Sequence, residues 1–139
     1  MILIQKAIIK RENKYLIGLR SPNAKYYPLH WDLPGGKLEP NEDPFLGIAR
    51  EVKEETNLDI KPIKVLGVYE MDLDNKGENT HRFTIYSTEI VSGEVKLSSE
   101  HVEQRWVTKE ELFQLPKSNL LNDQLEPYFE PFFEENLSI

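Results

Sequence analysis

Residues 36–58 read GKLEPNEDPFLGIAREVKEETNL, and the spacing inside this stretch decides the fold. Asp43 followed by Pro44 marks a helix start: the aspartate can accept a hydrogen bond from an early backbone N–H, and proline suits the first helical position, where no N–H is needed. Phe45, Ile48, Ala49 and Val52 recur at i, i+3, i+4 and i+7, the spacing of a stripe that packs on a core. Asn57 stands where a helix ends in the left-handed conformation, which asparagine tolerates better than most residues. Behind Arg50, the carboxylates of Glu51, Glu54 and Glu55 lie three and four residues apart and are predicted to converge within one turn. That acidic stripe falls roughly a third of a turn from the apolar one, so it can face a cleft while the helix stays anchored. Like charges this close repel unless a positive group lies among them, and hard oxygen donors suit Mg²⁺, with Mn²⁺ as the alternative.

Working outward, Trp31-Asp32-Leu33-Pro34-Gly35-Gly36-Lys37 reads as a short strand, Trp31 to Leu33, entering a glycine turn. Ile2 to Lys10 and Tyr15 to Arg20 read as the two strands of a hairpin around the polar turn Arg11-Glu12-Asn13-Lys14, and residues 21–29, with Pro22, Asn23 and Pro28, as a loop. Beyond the helix, Ile60 to Met71 and Arg82 to Val91 read as strands around a turn at Asp74-Asn75-Lys76-Gly77, and Val102 to Val107 adds another. Thr108 with Glu111 three residues on is a capping box, opening a short helix that stops before Pro116. Leu121 to Glu135 reads as a final helix interrupted near Pro127 and Pro131.

Strands alternating with helices in 139 residues, without a linker-like break or a repeat, predict an α/β fold in a single domain, residues 1–139. The absence of cysteine excludes disulfide scaffolds, thiol catalysis and cysteine-ligated zinc. No leader pattern and no apolar run of bilayer-spanning length occur, which predicts a soluble cytoplasmic protein without a membrane partner. A net charge of −7 disfavours nonspecific binding to long nucleic acid, which needs phosphate-neutralising basic patches. A small phosphorylated molecule carried by metal ions is compatible with that charge.

Gly36, Glu42, Arg50, Glu51, Val52, Glu54, Glu55 and Leu58 fall on the spacing of a known signature, and the chain resembles the Nudix hydrolases, in particular their MutT-like members. One position departs: Asn57 stands where the signature has glycine, and asparagine is the mildest replacement at a left-handed helix end. The resemblance implies an α/β/α sandwich with a mixed β-sheet flanked by helices. It also implies hydrolysis of a nucleoside diphosphate linked to another moiety, with water attacking a phosphorus atom. Glu54 and Glu55 are then metal ligands, Glu51 is a third ligand or the general base, and the carbonyl of Gly36 can also reach a metal. Arg50 reads as a structural partner for Glu42 or Glu54. By similarity, Glu100 is a further metal-binding or basic residue, with Glu103 as the second choice; His101 could assist it, whereas His30 and His81 show no metal-ligand spacing.

For substrate contact, Arg20 at the end of the second strand is expected to bind phosphate, with Lys37 beside it, and Asn119 resembles the asparagine with which MutT-like enzymes read a purine edge. The aromatic C-terminus, Tyr128, Phe129, Phe132 and Phe133, reads as a packing stripe, with a homodimer contact as the alternative. The leading activity is conversion of a nucleoside triphosphate, including oxidised or noncanonical ones, to monophosphate and pyrophosphate. ADP-ribose or a dinucleoside polyphosphate is the alternative substrate, and a noncatalytic nucleotide sensor the alternative class. The stretch Leu73-Asp74-Asn75-Lys76 lacks the Pro and the Tyr that relatives cutting those two alternatives tend to place there.

Overall fold

The structure, a computed structural model, describes residues 1–72, 80–97 and 101–115. Its elements in chain order are β1 (Ile2–Ile8), β2 (Lys10–Arg11), β3 (Lys14–Arg20), β4 (Trp31–Asp32), β5 (Gly35–Lys37), α1 (Pro44–Thr56), β6 (Asp59–Asp72), β7 (Thr80–Ser92), β8 (His101–Val107) and α2 (Lys109–Phe113). The four-stranded sheet β5-β1-β7-β6 is mixed, because β1 runs parallel to β7 while its other pairings are antiparallel. A second four-stranded sheet is built on β3, which pairs antiparallel with β2, β4 and β8. The mixed sheet and its flanking helices are those of the expected fold class.

Two local expectations are corrected. The first two long strands do not form one hairpin: β1 pairs with β5 and β7, and only Lys10–Arg11 turn back on β3. The cause lies in the apolar run Ala7-Ile8-Ile9, buried at every position. Alternate side chains enter opposite faces of a strand, and here each face has its own core. Ile8 joins Tyr15, Ile17, Trp31, Leu33 and Phe83 between the sheets, while Ala7 and Ile9 join Ile48, Val52, Leu58 and Tyr86 under α1. The chain therefore changes sheet near Ile9, whose carbonyl accepts from Leu16 N–H at 3.0 Å. The second correction is that Gly35-Gly36 is no turn but the start of β5, in register with Lys6 and Gln5.

Helix α1 is built as its local signals require. Asp43 caps Phe45 N–H at 3.0 Å, Pro44 opens the first turn, and Asn57 closes the last at φ 69°, its N–H donating to Lys53 O. Ile48 and Val52 are fully buried, each contributing about 1.5–3 kcal/mol of apolar burial. Phe45, expected in the same stripe, is 48% exposed and meets the edge of Tyr86 from the first turn of the helix. The capping box at α2 forms with both reciprocal bonds, Thr108 to Glu111 and back. Among the described residues no helix is long and apolar enough to cross a membrane. The turn expected at 74–77 and the helix expected at 121–135 lie outside the described residues.

Candidate active site

The mixed sheet positions the site by its register. Ile4 stands opposite Phe83, Phe83 opposite Tyr69, and Met71 opposite His81, so these side chains share one face with Lys6. That face floors a cavity of about 690 Å³, and β4, β5, α1 and the 21–29 loop supply its other walls. Its lining carries charge of both signs, Glu51, Glu55 and Asp32 with Lys6, Arg20 and Lys37. The lining is also aromatic: Tyr69 and Phe83 stack with centroids 4.9 Å apart and an interplanar angle of 3°, and Tyr26 meets His81 edge-on at 5.6 Å.

Arg50 organises the solvent side of α1. Its Nε and Nη2 grip Glu42 at 2.7 and 3.0 Å, and its Nη1 reaches Glu51 at 3.0 Å and Glu54 at 3.2 Å. Nη2 also donates to the Lys37 carbonyl at 3.3 Å, which ties the helix to the end of β5. Hydrogen bonding from Arg50 holds the Glu42 carboxyl down at about 2, and the same bond raises the pKa of Arg50 itself.

Glu55 has the opposite environment. It is 7% exposed, and burial pushes its carboxyl up to about 8, against the favourable pull of Lys6 and of the Gly35 N–H that it accepts at 3.2 Å. The two glycines explain how the carboxylates come so close to the strand. A Cβ on Gly35, where φ is +151°, would collide with the Gln5 carbonyl, and one on Gly36 would collide with the Glu51 carboxylate. The β5 backbone thus lies directly against the acidic face of the helix.

The geometry is specific enough to be compared with known proteins. The model of the NUDIX domain matches residues 6–129 of this chain. The chain belongs to the Nudix family. It is 33% identical to the MutT protein from Methanosarcina mazei Go1, whose crystal structure superposes with a TM-score of 0.77, covering 96% of this chain and 91% of that one. A MutT-like protein of Streptomyces ambofaciens is 29% identical over 114 residues, 80% of this chain and 66% of the relative. Mouse diphosphoinositol polyphosphate phosphohydrolase 3-alpha is 35% identical over 82 residues, 59% of this chain and 47% of the relative. The chain thus spans about half to two thirds of the length of these two curated relatives.

Set against the Nudix signature, the site holds the expected residues in a different grouping. Glu51 and Glu55 line the cavity with Gly36, but Glu54 is turned away, 59% exposed at its side chain and paired with Arg50. Among the described residues no three acidic or histidine side chains form a metal-binding cluster. The reason is competition: Arg50 Nη1 holds the Glu54 carboxylate at 3.2 Å on the exposed side, whereas Glu55, four residues from Glu51, enters the cavity beside it. The remaining donors still fit a hard divalent cation. Mg²⁺ usually takes one or two carboxylates, with phosphate oxygens and water completing its shell, and the Glu55 carboxylate is buried without full charge compensation.

Arg20 lines the cavity, its Nε donating to the Tyr26 carbonyl at 3.0 Å, and Lys37 lines it as well. Glu103 does not: it lies on β8 opposite Leu19 and pairs with Arg105 at 2.8 Å. Glu100 and Asn119 fall outside the described residues. Sequence reasoning missed Lys6, Asp32, Tyr69, His81 and Phe83. A signal for the aromatic ones existed in the alternation Tyr69-Met71 and His81-Phe83, which puts both pairs on one face of their strands.

Proposed function

We propose that this Nudix chain is a cytoplasmic Mg²⁺-dependent pyrophosphohydrolase that converts a nucleoside triphosphate, oxidised or noncanonical forms included, to monophosphate and pyrophosphate. The observation that carries this reading is one cavity lined both by carboxylates and cations and by the stacked Tyr69–Phe83 pair. Such a site suits a molecule that is a polyphosphate at one end and a flat ring at the other. A bound divalent cation would supply charge neutralisation of the diphosphate and an acidified water. Glu51 and Glu55 would hold it, with Glu54 joining by leaving Arg50. Arg50 keeps the helix against β5, and Arg20 and Lys37 face the phosphates.

The mouse relative's name invites comparison with a diphosphoinositol polyphosphate. The described cavity wall carries three cations, Lys6, Arg20 and Lys37, against three carboxylates, Asp32, Glu51 and Glu55. The stacked aromatic rings in the same lining suit a nucleobase. Retention of Glu51, Glu54, Glu55 and Arg50 argues against a noncatalytic sensor.

The test is a Mg²⁺-dependent turnover screen with nucleoside triphosphates, oxidised nucleotides, ADP-ribose, dinucleoside polyphosphates and a diphosphoinositol polyphosphate, with products separated by chromatography. Monophosphate plus pyrophosphate from a triphosphate is the expected result. AMP plus ribose phosphate would replace it with the ADP-ribose reading, and tight binding without turnover with the sensor reading. Glu54→Gln and Glu55→Gln should each remove most turnover and leave the fold intact.

A further inference from the structure

The last turn of α1 is fastened by hydrogen bonds from outside the helix. A helix leaves its final carbonyls without partners of its own. Here distant parts of the chain supply them: Gln104 Nε2 on β8 donates to the Glu55 carbonyl at 2.9 Å, and Lys96 N–H donates to the Thr56 carbonyl at 2.9 Å. Asn57 Nδ2 reaches the other way and donates to the Glu94 carbonyl at 2.9 Å. Gly93 admits this approach, since its φ is +104° and a Cβ there would meet the Asn57 carbonyl. The helix end is thereby tied both to the segment that follows β7 and to β8 of the second sheet. Gln104 Oε1 is buried and finds no donor among the described residues. An unsatisfied buried acceptor is costly, so this amide is a poor choice for packing alone. Asn57 stands where the Nudix signature has glycine, and glycine has no side chain with which to make such a bond.

We propose that Gln104 and Asn57 are positioning residues that clamp the last turn of α1 and so hold the Glu55 carboxylate in the cavity for the metal ion. The inference rests on the reading that Glu55 is a metal ligand. Glu55 stands two residues before the Asn57 cap and is 7% exposed. Helix ends fray, and unwinding of this turn would return a buried carboxylate to water, where the ion is better solvated. Fraying is thus favoured by the group that must stay in place. The clamp opposes it at two points, the backbone of Glu55 itself and the cap that follows. At φ 69° a glycine would serve the turn at least as well, so what asparagine adds is the tether to Glu94.

The probe is Mn²⁺, its bound and free fractions read by electron paramagnetic resonance with the full chain, beside amide hydrogen exchange and urea unfolding of the metal-free protein. Asn57→Gly keeps the left-handed turn and removes the tether. Gln104→Met keeps the length of the side chain and removes both the donor and the unsatisfied acceptor. Each variant should weaken Mn²⁺ binding about fivefold, on the order of one hydrogen bond, and speed exchange of the Lys96 N–H by a similar factor. The urea midpoint of Asn57→Gly should hardly move, whereas a merely structural role would lower that midpoint and leave the affinity of the folded protein unchanged. An affinity within about twofold of the unsubstituted protein, in either variant, overturns the role of that residue. Absence of Mn²⁺ binding by the unsubstituted protein would sink the metal site and the clamp with it. Mn²⁺ binding that both variants weaken, without turnover of any substrate in the screen, would instead sink the hydrolase reading and keep the clamp.

Discussion

Removing the charge of Glu55 should stabilise the metal-free protein, by an amount that grows with pH. The folded carboxyl titrates near 8 instead of its ordinary 4.5, because burial disfavours the ion. Below 4.5 the group is protonated in both folded and unfolded chains and contributes no difference. Between 4.5 and 8 the unfolded chain gives up its proton first, so stability falls as pH rises. Above 8 both forms are ionised and the full deficit remains. A displacement of about 3.5 units corresponds to roughly 4–5 kcal/mol, at about 1.4 kcal/mol per unit. Glutamine keeps an acceptor for the Gly35 N–H and has no charge to desolvate. Urea unfolding in EDTA from pH 5 to 8.5 should therefore show Glu55→Gln gaining on the unsubstituted protein by several kcal/mol, since every other titration is common to both. A difference constant within about 1 kcal/mol over that range would refute the burial argument. Adding Mg²⁺ at pH 8 should stabilise the unsubstituted protein and leave the variant nearly unmoved, because the cation takes the proton's place.

Arg50→Lys keeps the charge but loses the two-pronged grip on Glu42, so the Glu42 carboxyl should titrate nearer to 4.5 than to about 2, as carboxyl NMR would show. The two glycines should separate fold from function. Gly35→Ala meets backbone at a φ that side chains rarely adopt and should cost roughly 2–4 kcal/mol in chemical denaturation. Gly36→Ala meets only the end of the Glu51 side chain, and should cost turnover at least tenfold with a change in Tm of a few degrees at most. Tyr69→Leu removes one face of the aromatic stack and should raise the nucleotide KM about tenfold while leaving inhibition by pyrophosphate unchanged, in line with roughly 1–3 kcal/mol per stacked base.

What the sequence disclosed was what depends on neighbours along the chain. The Asp43 cap, Pro44, the Asn57 terminus and the Thr108–Glu111 box are all local chemistry, and each took the form that its spacing implied. The pairing of β1 was hidden, because Ala7-Ile8-Ile9 is apolar throughout, and a run without alternation does not say which sheet it enters. Gly35-Gly36 was misread for a related reason: glycine marks both turns and close approaches, and only the Gln5 carbonyl and the Glu51 carboxylate tell them apart. The acidic triplet was legible as a group but not as a geometry. Spacing gives the face of a helix, whereas the competition between Arg50 and the cavity decides where Glu54 points. Lys6 and Asp32 lie 26 residues apart, and neither had a local signal to join them.

The parallel pairing of β1 with β7 also bears on how the chain is made. Ile2 must find His81 and Ile8 must find Ser87, so β1 has no partner in that direction until synthesis has passed residue 87. At about 5–20 residues per second that is a wait of order 5–15 s, with an apolar segment in hand. The antiparallel β6–β7 ladder, from Asp72↔Thr80 to Asp59↔Ser92, closes a much shorter loop and can assemble first. During translation, the segment most exposed to mispairing is therefore residues 2–9, and a chaperone or a pause acting on the nascent chain would have its largest effect there.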